Sequence, residues 1–332
     1  MAGDQKARGR LLALYMMALY GSGVIGQTQL GLIDAMGDNA PFMVAGLLAS
    51  LSVLPMVIIP RAYPLVEKVE PMSPYYLIRM TPTGVVGCFG SGMAIAAVYT
   101  LLPLYLQRVG FDVREVGQMM ASVILGAMLL QYPVGRWSDQ RDRQTVLIAL
   151  AIFCLAISIA ILVLPGSPML LMGLLFLLGG GIFAIYPVAV SHAADRAPAA
   201  ALVRMIQGLL LINSLGSAIS PLIFSPVMTA FGDAGLFLCF TVLNATLVLM
   251  FFWRRGQRPA PAPVAPFTAA TPHSLMGAEL RVTEDLEQGA REHELMEDLS
   301  DVVPGVEVAQ PILEPDVAET ETADPKPEAG LR

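Results

Sequence analysis

The sequence predicts an all-α polytopic membrane protein: eight transmembrane helices followed by a disordered acidic C-terminal tail. Three observations carry this. Of 332 residues, 55% are hydrophobic and only 14% charged, with a mean hydropathy of +0.64; a soluble domain is about a quarter charged. Apolar runs of about twenty residues recur, each long enough for a hydrocarbon core of roughly 30 Å. Finally, lysine and arginine are sorted between alternate ends of these runs. Fourteen of them, from Lys6 to Arg258, fall on one side, against Arg108 and Arg114 on the other. By the positive-inside rule, both termini are then cytoplasmic.

The elements follow in order. A basic start with Lys6, Arg8 and Arg10 leads into a first helix over 10–34. It is too long for a signal peptide and carries Gln27 and Gln29. The second helix runs from Pro41 to Pro60, with prolines at its ends, where they are tolerated. Residues 61–80 are polar and proline-rich and suit a cytoplasmic linker. The third helix, 82–106, carries Gly84, Gly87, Gly90 and Gly92, a spacing for close helix contact. The fourth spans Val113–Gly135 and the fifth Gln144–Leu164. A tight turn at Pro165–Pro168 follows. The sixth, 169–190, holds Gly179-Gly180-Gly181 and Tyr186-Pro187, which predict local irregularity. The seventh and eighth cover 203–230 and 233–253.

The net charge of −7 is unevenly divided. Residues 256–332 carry sixteen acidic and five basic side chains, so the membrane part is mildly basic. The tail opens on Pro259, Pro261, Pro263 and Pro266, an extended pattern. The stretch 277–300 has leucines spaced for a short amphipathic helix, and the remainder has the composition of disorder. Neither part carries a nucleic-acid footprint.

The most informative stretch is Gly135-Arg136-Trp137-Ser138-Asp139-Gln140-Arg141-Asp142-Arg143, a charged loop between the fourth and fifth helices. In one reading its arginines only fix topology. In the other, Asp139 and Arg143 meet on one helical face or pair with a neighbouring helix end, as a cytoplasmic gate. The stretch resembles the Gly-x-x-(Ser/Ala)-Asp-x-x-Gly-Arg loop of the major facilitator superfamily. Gly135, Ser138, Asp139 and Arg143 match, and Asp142 replaces a glycine.

The resemblance extends along the chain. Arg8–Met17 with Gly26-Gln27, Tyr99 with Leu102–Leu106, Gln131–Arg136, and Tyr186–Ala189 resemble, in order, helices five, seven, eight and ten of the YcaD-like branch. That family has twelve helices in two halves with the substrate path between them. The resemblance therefore implies a partial major facilitator fold. Residues 1–60 are the last two helices of the N-terminal half and 61–80 the inter-half linker. Residues 81–255 are the complete C-terminal half, and 256–332 the cytoplasmic tail. A four-helix N-terminal segment would be missing, supplied by a longer chain or a second polypeptide. Tyr20, Gln27 and Gln29 in the first helix would then be the polar groups left least satisfied. The implied function is transport of a small solute by alternating access in the cell (inner) membrane. The alternative is a non-transporting fragment or scaffold whose tail binds partners.

Polar side chains within spans are the candidate path residues. Asn213, Ser217 and Ser220 share one face of the seventh helix near the bilayer midplane, with Gln207 and Ser214 adjacent. They read equally as a cavity wall or as interhelical glue. Tyr99, Tyr186, Gln27 and Gln131 are further candidates, and His192 reads as a solvated loop residue. No Asp, Glu, Lys or Arg lies deep in a predicted span, so any proton coupling would sit in the missing helices. Cys88, Cys154 and Cys239 lie in different spans without metal-ligand spacing. No catalytic set, phosphate-binding loop, cofactor site or metal site is expected, and the chain reads as a non-enzyme.

Overall fold

The computed structural model describes residues 2–34, 36–37, 39–58, 72–164, 167–197 and 201–255. Every regular element among them is helical: α1 (Ala2–Asp34), α2 (Ala40–Ile58), α3 (Pro74–Met80), α4 (Pro82–Thr100) and α5 (Leu102–Arg108). After these come α6 (Val113–Gln140), α7 (Arg143–Val163), α8 (Pro168–Ala194), α9 (Leu202–Phe231) and α10 (Gly235–Arg255). Five segments are long and apolar enough to cross a membrane: α4, α6, α7, α8 and the run Leu202–Arg255. That run is 54 residues long and is divided into α9 and α10 by a single 3₁₀ turn at Gly232–Ala234. The chain is therefore a multi-pass membrane protein. The helix expected over 277–300 lies outside the described residues.

The observed elements differ from the expected ones in four places. The third predicted helix is broken between α4 and α5. Pro103 lacks the N–H that would bond the Tyr99 carbonyl, and the helix is interrupted at Leu101. The end of the 61–80 linker is the short helix α3. Its Leu77 is fully buried against Gly208 of α9. The fourth predicted helix continues to Gln140, so most of the charged loop is helical and only Arg141 and Asp142 join α6 to α7. Lastly, α8 runs unbroken through its glycines and Pro187. The glycines serve close approach instead of a break: Gly179 sits on the Val123 carbonyl, Gly180 on Leu130 and Gly181 on Cys154.

Packing centres on α4 and α8. α4 lies against α9, α8 and α10, and α8 against α6, α7 and α4. α1 crosses α6, where the Gln27 carbonyl rests on Gly117 and Arg114 rests on Gly31. A Cβ at Gly31 would stand 2.5 Å from that of Arg114, so the crossing depends on glycine. Among the described residues, α2 packs chiefly on α1. Its Phe42, Met43 and Val57 are 78%, 72% and 71% exposed, an apolar surface suited to lipid or further helices.

Candidate functional site

The charged end of the bundle is built around Arg143. Asp142 caps α7, accepting from the Thr145 backbone N–H at 3.2 Å and the Thr145 hydroxyl at 3.0 Å. It also accepts from the Gln144 N–H at 3.3 Å. Capping gives a physical reason for aspartate where the resembled loop has glycine. Arg143, the first residue of α7, is 2% exposed. One guanidinium nitrogen donates to the Ser191 carbonyl at 2.6 Å and pairs with Asp195 at 3.1 Å. The other lies 3.9 Å from Asp139. Asp139 closes α6 and Arg143 opens α7, so the two meet across a turn, not on one helical face. The closer partner is Asp195. Sequence spacing could not reveal it, because it becomes a neighbour only through the antiparallel packing of α7 and α8.

His192 corrects an expectation. It is 2% exposed, not solvated, because α8 carries it into the packed end of the bundle. Arg196 bonds its Nδ1 and its carbonyl, both at 3.1 Å. Gln144 donates to the Phe251 carbonyl at 3.0 Å and ties α7 to α10.

Deeper in the bundle, the α9 polar stripe faces α4. Asn213 donates to the Cys88 carbonyl at 2.9 Å and to the Ser91 hydroxyl at 3.0 Å. Ser217 donates to the Gly92 carbonyl at 3.1 Å and Ser220 to that of Met93 at 2.7 Å. Gly92 and Gly216 let the two backbones touch. These bonds hold helix to helix. Gln207 is half-buried, and Ser214 is exposed and bonds back within α9.

A second polar cluster lies where α1 meets α4, α6 and α8. Tyr20 of α1 and Tyr99 of α4 both stand edge-on to Phe183 of α8, with ring centroids 6.4 and 5.8 Å away. Gln131 of α6 stands beside the Tyr20 hydroxyl as a hydrogen-bonding group, and Tyr99 acts on it electrostatically. The Tyr20 hydroxyl and the Gln131 side-chain nitrogen are buried beside each other, yet neither closes a well-formed hydrogen bond. An orphaned buried group of this kind costs about 1–3 kcal/mol. Tyr20 is only 5% exposed, so it faces neighbours within the described bundle. The structure thus joins Tyr99 and Gln131 and adds Tyr20, which sequence reasoning had not placed on a path. A tyrosine on an apolar helix gives no signal of which neighbour it meets. Tyr186 lies one turn beyond Phe183, buried beside Cys88. Gln27 is half-buried at the α1–α6 crossing.

Similarity to other proteins agrees with this architecture. The profile of the Major Facilitator Superfamily matches two overlapping stretches, residues 2–206 and 84–288. An uncharacterized MFS-type transporter of Yersinia pestis (strain Pestoides F) is 31% identical over 263 residues. That match covers 78% of this chain and 67% of the relative. The uncharacterized MFS-type transporter YcaD of Salmonella dublin is 31% identical over 261 residues, with the same coverage. No solved structure matches significantly. A membrane transport role follows from this kinship, and the glycine-packed helices, the Gly135–Arg143 stretch and the profile together place the chain in the major facilitator superfamily.

Proposed function

We propose that the protein carries a small solute across the cell membrane by alternating access, along a path past Tyr20, Tyr99, Gln131 and Phe183. The observation that carries this reading is the buried Tyr20 hydroxyl and Gln131 amide nitrogen, which lie side by side without a well-formed hydrogen bond. Polar groups at membrane depth are retained where something else satisfies them, a solute or the water of a path. The surroundings suit a solute with an oxygen acceptor next to an apolar portion that lies on Phe183. Tyr186, Gln27 and Gln207 are secondary candidates along the same route, and Asn213 and Ser217 brace its wall through α4.

In this reading α1 and α2 belong to one moving half and α3–α10 to the other, so the junction lies between halves, where family transporters bind. The exposed apolar faces of α1 and α2 are where four further helices of the first half would pack. Gly135, Asp139 and Arg143 act at the cytoplasmic gate. With Asp195, they lock the ends of α6, α7 and α8 into one block that rocks as a unit.

The test is solute flux in vesicles, with and without a pH gradient, for the chain alone and for a version carrying four upstream helices. Gln131→Leu and Tyr99→Phe should lower flux or raise the apparent KM while membrane insertion stays normal. Unchanged flux in both variants would remove the junction from the path. Absence of flux in every version would favour the scaffold reading.

A further inference from the structure

Just before the first long span of the second half, Pro74–Met80 forms the seven-residue helix α3. Thr81 leaves the helical region, with φ −139° and ψ 70°, and it precedes Pro82, which has no N–H. Proline disfavours helical backbone in the residue before it, so α3 and α4 are separate helices. A helix as short as α3 does not sustain itself in water. The protein holds it at few points. Leu77 fills the notch at Gly208 of α9, and the Met72 N–H donates to the Arg204 carbonyl at 3.2 Å. Tyr75, Tyr76 and Ile78 face away and are each at least half exposed. Among the described residues, nothing covers them.

The end of α10 presents a similar surface. Phe252 and Trp253 are exposed in its last turn, and Arg254 and Arg255 follow. The two surfaces are neighbours, because Arg79 and Arg254 line one small cleft. Arg79 stands over the Tyr75 ring at 5.3 Å and Arg254 over the Trp253 ring at 5.5 Å. Tyrosine and tryptophan rings at the ends of apolar spans, with arginines beside them, are the pattern of a bilayer interface.

Position and charge both point to lipid as the cover. α4 begins a membrane-long span at Pro82, and another such run ends at Arg255, so the patch lies where spans leave the hydrocarbon. It is on the end of the molecule that holds most of the arginines. Neither 72–83 nor 246–255 contains an acidic residue, and Arg79 and Arg255 are exposed. A basic rim around exposed aromatic rings complements a leaflet with anionic headgroups.

We propose that α3 is an interfacial anchor. Tyr75, Tyr76 and Ile78, together with Phe252 and Trp253, lie in the headgroup boundary of the leaflet on the arginine-rich side. The linker expected over 61–80 is then fixed at its α4 end, to α9 by Leu77 and to the bilayer by its outer face.

The test uses the full chain in vesicles of phosphatidylcholine and phosphatidylglycerol. A nitroxide label is attached to Tyr76→Cys, since Cys88, Cys154 and Cys239 are buried. Its collisions with oxygen, which enters lipid, are compared with those of a water-soluble nickel chelate. Oxygen should dominate at position 76. Tyr75→Ser combined with Ile78→Ser should reverse that preference without moving the unfolding temperature in detergent, because neither side chain packs in the protein. In a second measurement, Trp137→Phe leaves Trp253 as the single tryptophan. Lipids brominated near the headgroup end of the acyl chain should quench it more than lipids brominated at the chain end. A label reached as freely by nickel as by oxygen would place α3 in water. A label shielded from both would mean that another protein segment or a second copy covers the patch. Either result overturns the anchor, as does stronger quenching of Trp253 from the bilayer centre.

Discussion

Two polar clusters sit inside the same helical bundle and differ in one respect. Along the α4–α9 seam, Asn213, Ser217 and Ser220 give every donor to a carbonyl or hydroxyl on a neighbouring turn or helix. At the α1–α6–α8 junction, Tyr20 and Gln131 are buried, yet a donor on each lacks a well-formed hydrogen bond. The seam is what a membrane protein does to hold helices together without water. The junction keeps a penalty that packing could have removed with a phenylalanine and a leucine. Burial and polarity alone do not mark a candidate path; the proposed path rests on buried donors that packing leaves poorly bonded.

Substitutions can break or sharpen this contrast. The largest effect is expected at the seam from Gly216→Val, because a side chain there enters the Phe89 carbonyl. Overpacking at a backbone contact should cost about 3 kcal/mol, read as loss of monodisperse protein on purification. Normal yield and stability would show that α4 and α9 are less closely packed.

At the charged end, Arg143→Ala leaves Asp195 buried beside an empty space. We expect a loss of about 3 kcal/mol in chemical unfolding. The same measurement ranks the carboxylates. Asp195→Asn should destabilise far more than Asp139→Asn, whose carboxylate is 3.9 Å away and 36% exposed. The reverse order would return Asp139 to the role that the loop pattern suggests.

A smaller effect separates the clusters directly. Asn213→Leu removes two interhelical bonds and should cost about 1 kcal/mol of stability. Apparent solute affinity should not move. A KM change larger than the stability change would place Asn213 on the path.

The smallest stability effect is expected from Tyr20→Phe. Its hydroxyl has no well-formed hydrogen bond to lose, so thermal unfolding should shift by less than about 0.5 kcal/mol, or rise slightly. Flux is where this variant should differ. A clear loss of stability would mean that the hydroxyl is bonded, and the contrast between seam and junction would disappear.

Much of the fold was legible in the sequence because a bilayer leaves few choices. The apolar runs that became α4, α6, α7 and α8 were found within a few residues, since their backbone bonds must close within each segment. The errors fell where side chains or distant contacts decide. Pro103 split one predicted helix, and the triple glycine of α8 does not interrupt it but lets α6 and α7 press close. Asp142 was read as a mismatch to a pattern and proved to be a helix cap.

The sequence by itself determined the membrane class, the sorting of charge between the two ends, the Gly135–Arg143 stretch and the family. All of these are written in composition and local spacing. Only the tertiary structure decided which polar groups are satisfied. The seam bonds join residues 122 to 127 positions apart, and Arg143 reaches Ser191, 48 positions away. The physical reason is that a hydrogen bond depends on which atoms stand within about 3 Å, and helix packing sets that distance between segments remote in sequence.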